Sequence, residues 1–231
     1  MKSIIKPIHA ASTKKAPIIK RQKTARVHGS RGLNDTFLEV YNGISGFNTY
    51  VIGATQDKSP YGEVTPQGIK ILYEKFKQYA PLQKLSSSRR RFYDLGSGVG
   101  KVAIGMAVLN QDIDCYGIEN MPERSRLASM AYSRLKSSHI QRRIHLIGDT
   151  FLNPAVSLRD AAWIFISNLC FDEQTQKGLA DKLQAEVEPG SIIICSRQII
   201  VNPTQFEMLE NACIVPMSWS NSSSCWIYRR L

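Results

Sequence analysis

No run of about 18 or more consecutive apolar residues occurs, and the amino terminus scatters lysines among its few isoleucines. Neither a membrane-spanning helix nor a signal peptide is therefore read from the chain, and a soluble, intracellular protein is expected. Cysteine is sparse and unpaired. Cys115, Cys170, Cys195, Cys213 and Cys225 are odd in number, form no CxxC, and mostly stand inside apolar runs. That pattern points to reduced thiols packed as small hydrophobes, and away from zinc or a disulfide framework. Acidic residues are missing altogether from residues 1–31, which hold Lys2, Lys6, Lys14, Lys15, Lys20, Arg21, Lys23, Arg26 and Arg31. A basic arm of this kind gains affinity for DNA phosphates by counterion release or faces an acidic surface, whereas its plainer reading is a solvated, disordered extension over 1–34. Lys14-Lys15 followed by Lys20-Arg21-Gln22-Lys23 also has the composition of a nuclear import signal.

What the chain does contain is apolar residue in quantity, 43% of the total, enough for one substantial core. From Phe92 onward short apolar runs alternate with longer amphipathic ones, the pattern of strand and helix units wound into a parallel sheet. Strands are expected at 91–95, 113–118, 143–147, 162–166 and 191–195, and helices at 66–79, 101–109, 122–136 and 172–186. Trp163-Ile164-Phe165-Ile166 and Ile192-Ile193-Ile194-Cys195 lack polar alternation, as strands covered on both faces do. Beyond Val201 a helical turn at 205–210 is read, then two strands near 213–219 and 225–228 joined by a loop at Ser220-Asn221-Ser222-Ser223-Ser224. Five parallel strands plus an antiparallel pair make an α/β, doubly wound, seven-stranded sheet of the class I methyltransferase type. That core is placed at 91–231, behind a segment at 35–90 that carries a loop and a helix.

The strongest local signal is Phe92-Tyr93-Asp94-Leu95-Gly96-Ser97-Gly98-Val99-Gly100-Lys101, a strand running into a glycine loop and then a helix. Glycines at alternate positions let the backbone turn sharply and approach a ligand closely, and such a loop sits at the carboxyl ends of the strands, where open sheets bind ligands. The alternative is a turn required only for packing. A dinucleotide fingerprint would place its third glycine at Lys101, so NAD is the weaker candidate. Some 20 residues on, Cys115-Tyr116-Gly117-Ile118-Glu119 ends the next strand on a carboxylate suited to ribose hydroxyls, or else simply solvated. Gly148-Asp149-Thr150 sets another carboxylate where an adenine amino group can donate to it, although Asp149 is also a good cap.

Ser59-Pro60-Tyr61-Gly62-Glu63-Val64-Thr65-Pro66-Gln67, the glycine loop, Tyr116-Gly117-Ile118-Glu119 and Asn168-Leu169-Cys170-Phe171, in this order and with Ser218-Trp219-Ser220 after them, resemble the disruptor of telomeric silencing (DOT-one) family. Its members are histone lysine methyltransferases without a SET domain, and the resemblance covers roughly 50–228. It implies an enzyme of the nucleus that transfers methyl from S-adenosylmethionine to a lysine in the globular core of histone H-three within nucleosomes, a ubiquitinated histone being left open as a partner. Beside it, the charge of the amino-terminal residues points to DNA contact, and hydropathy and cysteine spacing lead us to expect neither membrane nor metal. On this reading Asp94, Gly96, Ser97, Gly98, Gly100, Lys101, Glu119, Asp149 and Thr150 hold the cofactor. Tyr61, Gly62 and Glu63 cover its methionine part and line the lysine channel. Asn168 and Phe171 lie beside the transferred methyl group, and Trp226 joins Tyr61, Phe171 and Trp219 in walling the channel.

The chain departs from the family pattern at Ser167, where a first asparagine is usual, at Lys101 for glutamine, at Thr150 for an aromatic, and at Trp226 for a tyrosine. A class I methyltransferase acting on RNA or another protein shares the whole cofactor argument. An amino-purine or cytosine enzyme is expected to carry an Asn-Pro-Pro-Tyr-like motif, which Ser167-Asn168-Leu169-Cys170 is not. A non-catalytic chromatin module explains the basic arm but leaves the glycine loop and Glu119 without a use.

Overall fold

The structure, a computed structural model, describes residues 32–47, 61–82 and 90–231. The basic arm with its import-like cluster lies outside the described residues, as do the first two residues, Ser59 and Pro60, of the motif at 59–67. The described residues form one unit.

Seven strands make one sheet in the order β3-β2-β1-β4-β5-β7-β6. They are β1 (Arg91–Leu95), β2 (Asp114–Ile118), β3 (Ile144–Ile147), β4 (Ala161–Ile166), β5 (Ile192–Cys195), β6 (Phe206–Met217) and β7 (Ser220–Arg230). The first five are parallel, and β7 inserts antiparallel between β5 and β6. Every residue of β4 and β5 is buried, as their unbroken apolar runs require. The helices are α1 (Leu33–Val40), α2 (Pro66–Tyr79), α3 (Lys101–Leu109), α4 (Pro122–Ser133), the single turn α5 (Ser138–Gln141) and α6 (Glu173–Glu186).

Both faces of the sheet are covered. On one, Phe92, Trp163, Phe165, Ile192 and Ile194 pack with Phe37 of α1, Ile69, Leu72 and Phe76 of α2, and Val102 and Met106 of α3. On the other, Leu95, Ile164, Ile166 and Ile193 pack with Leu179 and Leu183 of α6. The segment before β1 is thus part of the core. Phe76 stacks on Trp163 at 5.2 Å and meets Phe92 edge-on at 5.8 Å, while the Trp163 indole donates to the Ala80 carbonyl. Arg134, just past α4, donates to the carbonyls of Val40 and Asn42 and fastens the end of α1.

The helix expected at 205–210 is strand. Phe206–Met217 runs continuously into the hairpin, and the serine-rich stretch read as its loop belongs to β7, with Ser223 opposite Val215 and Ser224 opposite Ile214. The turn is two residues, Ser218 and Trp219, between the paired Met217 and Ser220. α1 and α5 were not read from the sequence, and α1 begins at Leu33, inside the stretch assigned to the tail.

Candidate active site

Register places the site. Leu95 lies opposite Ile118 and Ile166, and Ile118 opposite Ile147, so the residues that leave β1, β2, β3 and β4 emerge side by side at one edge. Gly96, Gly98 and Gly100 have φ of +80°, +56° and +80°, the left-handed region where any Cβ is strained. The loop they form is tied to its neighbour, since Gly96 and Ser97 donate to the Ile118 carbonyl at 2.9 and 3.0 Å and Gly98 donates to Glu119 Oε2 at 2.8 Å. Glu119 Oε1 accepts from Met121 N–H at 2.8 Å, so the carboxylate keeps lone pairs on both oxygens for further donors.

A cavity of about 630 Å³ opens above this edge, within the range of small-molecule sites. Gly96 and Glu119 form its floor, Asp149, Thr150 and Phe151 one wall, Leu169, Cys170 and Phe171 another, and Tyr61, Gly62 and Trp219 its cover. A smaller recess continues to Asp94, Ser97, Gly98 and Lys101. Phe171 lies against Gly96 (a Cβ built there would be 3.2 Å from its ring) and stacks on Phe151 at 5.4 Å.

The cover is fastened on both sides. Tyr61 Oη accepts from Val99 N–H at 3.3 Å and donates to Glu63 Oε1 at 3.1 Å, and Lys101 Nζ pairs with Glu63 Oε2 at 2.5 Å. Opposite, Ser218 N–H donates to the Glu63 carbonyl at 2.7 Å and Ser218 Oγ accepts from Glu63 N–H at 3.0 Å. Val64 then bridges Met217 antiparallel, extending the edge of β6. Gly62 carries the Trp219 ring so closely that a Cβ there would fall 1.9 Å from it. Burial and the Glu63 charge raise the Tyr61 phenol well above its ordinary pKa, so Oη keeps its proton. Burial likewise raises the Asp94 carboxyl to about 8, with Glu119 adding to the rise, against a lowering hydrogen bond from Ala103.

Three expected site residues stand elsewhere, the first being Gly100, which precedes α3, lines neither cavity nor recess, and packs close to Ala128 and Leu146. Asn168 is fully buried and does not line the cavity: its amide donates to Gln176 and to the Arg197 carbonyl, and its Oδ1 accepts from Arg197 N–H at 2.8 Å. Those bonds consume the side chain and fix the loop that presents Phe171. Trp226 also lines no part of this cavity; it lies opposite Cys195 on β7, against the α6-side core. Trp219, at the hairpin tip, is the tryptophan that reaches the cavity. Asp149 accepts from Thr150 N–H and Asn153 Nδ2, each at 2.6 Å, which closes a turn while it lines the wall. Phe151, adjacent to Thr150, supplies an aromatic there that sequence reasoning passed over. Met121 and Arg124 were missed too, although their position just past Glu119 was a usable signal. Of the five thiols, only Cys170 is exposed.

A family model described as histone methylation protein DOT1 matches residues 46–224, most of the chain. The chain belongs to the DOT1 family. Among solved structures, the DOT1 chain is similar to a glycopeptide N-methyltransferase, MtfA, solved with S-adenosylmethionine (TM-score 0.52, 10% identity, 79% of this chain and 99% of that one). It is also similar to a precorrin-6y C5,15-methyltransferase from Geobacter metallireducens (0.47, 12%, 76% and 90%) and a methyltransferase from Geobacter sulfurreducens (0.49, 17%, 73% and 82%). No curated protein sequence matches it. The first likeness shows the fold, and with the family it makes this DOT1 chain a methyltransferase of class I architecture. Among the described residues no helix is long and apolar enough to cross a membrane, and no three His, Cys, Asp or Glu cluster as metal ligands.

Proposed function

We propose that this DOT1 chain transfers methyl from S-adenosylmethionine to the ε-amine of a lysine in the globular core of histone H-three, in nucleosomes and in the nucleus. The observation that carries the reading is the covered cavity at the glycine loop, in a chain whose family is that of histone methylation proteins. The residues fit the cofactor on two counts. Asp94 Oδ2 is buried without a hydrogen-bond partner, and Gly96 and Gly98 line the cavity and its recess with bare backbone. Gly96 and Gly98, with Asp94 and Lys101 in the recess, would hold its amino-acid end, Glu119 its ribose hydroxyls, and Asp149 and Phe151 its adenine. When bound it supplies an electrophilic methyl on a sulfonium.

The chain's own contribution is placement and exclusion of water. Phe171 and Trp219 give the acceptor an apolar passage, which disfavours the ammonium and favours the neutral amine of a group that titrates near roughly 10.4 in water. Tyr61, held protonated, keeps the cover closed through Glu63 and Val99. Among the described residues neither histidine, His139 nor His145, lines the cavity. Alignment of this kind contributes on the order of 7–11 kcal/mol in favourable cases. Asn168 acts through the loop it holds.

Radiolabelled S-adenosylmethionine offered in parallel with intact nucleosomes, free histones and RNA, followed by mapping of the labelled residue, tests the substrate. Label on a histone H-three core lysine in nucleosomes is expected. Label on RNA alone would move the chain to the rival substrate class while leaving the cofactor site intact.

A further inference from the structure

Three charged side chains stand in the first turns of α4, and two of them satisfy each other. Arg126 makes two bonds to Glu123, at 2.6 and 2.8 Å. Arg124, between them, has no carboxylate partner among the described residues, and its buried Nε has no hydrogen-bond partner at all. It does not face away from the protein: it lines the 630 Å³ cavity with Glu119, Gly96 and Tyr61, and its guanidinium lies over the Tyr61 ring, 4.3 Å from the centroid. Held against a ring and without an ion-pair partner, a guanidinium keeps donors for a carboxylate, which it can meet with two parallel bonds.

The other cation of the site is already balanced, because Lys101 is paired with Glu63. Glu119, Asp149 and Asp172 of the same lining accept from backbone N–H groups, and Arg124 is thus the site cation without an ion-pair partner among the described residues, its orphan Nε calling for an acceptor. Neither the purine nor the ribose of the cofactor is anionic, and its sulfonium is a cation; its one anion is the α-carboxylate. We propose that Arg124 binds the α-carboxylate of S-adenosylmethionine and of its demethylated product, with Tyr61 setting the plane of the guanidinium. The proposal rests on the cofactor assignment above and adds to it a residue outside the motifs of the sequence.

Calorimetry on the full chain separates the two claims. The probes are S-adenosylhomocysteine and its decarboxylated analogue, S-adenosyl-3-thiopropylamine, which keeps the amine and the nucleoside. Arg124→Met is expected to weaken S-adenosylhomocysteine binding on the order of tenfold to a hundredfold and to leave the analogue unchanged, with Arg124→Lys recovering part of the loss. Circular dichroism of each variant checks that it is folded. An equal loss for both probes reduces Arg124 to a support for Tyr61 and overturns the proposal. So does no loss for either, including the case where only the KM for nucleosomes changes, which would assign the cation to phosphate. If the unmodified chain takes up neither probe, the cofactor reading itself falls.

Discussion

Asp94 shows how a single buried group couples the site to stability. Its carboxyl titrates near 8 in the folded chain against an ordinary 3.8, chiefly because burial penalises the charged form. Between those values the folded state holds a proton that the unfolded state has released. The stabilising contribution is therefore complete below about pH 3.8 and is lost as pH rises through about 8. Urea melts at intervals from pH 5 to 8 should show the unmodified chain losing stability across this window. Asp94→Asn should fall less steeply, by up to about 1.4 kcal/mol per pH unit. Identical slopes would mean that Asp94 is not what titrates. Gly98 makes the complementary prediction. At φ +56°, with a built Cβ 2.6 Å from Tyr61 Oη, Gly98→Val carries about 1–2 kcal/mol of backbone strain and displaces the cover. We expect a folded variant that no longer takes up S-adenosylhomocysteine by calorimetry; retained wild-type Kd would remove the glycine loop from the site.

At the scale of elements, the β6–β7 hairpin and the cover loop behave as one device. Ser218 exchanges two hydrogen bonds with Glu63 across the join. Ser218→Ala removes one acceptor and leaves Glu63 N–H unpaired, a cost of about 1–3 kcal/mol where that group is buried and less at this exposed position. The expected signature is local: faster amide exchange at Glu63 and Val64, with β4 and β5 unchanged. Uniform acceleration would mean that the hairpin stabilises the whole fold instead of the cover. This device is also where sequence reading stopped. α2, α3 and β1 coincide with expectation because each is marked locally, by Thr65 capping Gly68 N–H and Pro66 at the first helical position, by Gly100 before α3, and by an apolar run before the glycines. The hairpin has no such marks. Its turn residues, Ser218 and Trp219, have negative φ and include no glycine, proline or asparagine, while the serines of β7 resemble a loop until β6 pairs with them. Glu119 and Asp149 were legible because their motifs end strands, and Tyr61, Gly62 and Phe171 because the motifs that hold them resemble those of the family. Arg124 was not, since its meaning comes from what it fails to pair with, and only packing reveals that. Asn168 stood in a recognisable motif, but sequence carries no record of which way its amide is spent.

For the whole molecule the decisive feature is where the charge lies. Of 30 basic residues, nine precede residue 32, and Lys58, Lys84 and Arg89 also fall outside the described residues, which leaves eighteen. Of 19 acidic residues only Asp57 falls outside, which again leaves eighteen. The described body is therefore formally neutral, and the +11 of the chain comes from the remaining segments, chiefly residues 1–31. A neutral body gives little counterion release, so a polyanion such as nucleosomal DNA is engaged through the arm on our reading of its function. Each phosphate neutralised contributes a slope of about −0.9 to log affinity against log salt. Removing residues 1–31 should then flatten the salt dependence of nucleosome binding by several units and weaken binding most at low salt. S-adenosylhomocysteine affinity should stay unchanged, since the described site is built from Tyr61 and residues after it. Equal slopes for the full and shortened chains would transfer nucleosome contact to the neutral body, where shape and the apolar mouth at Leu169 and Trp219, both about half exposed, would have to supply it.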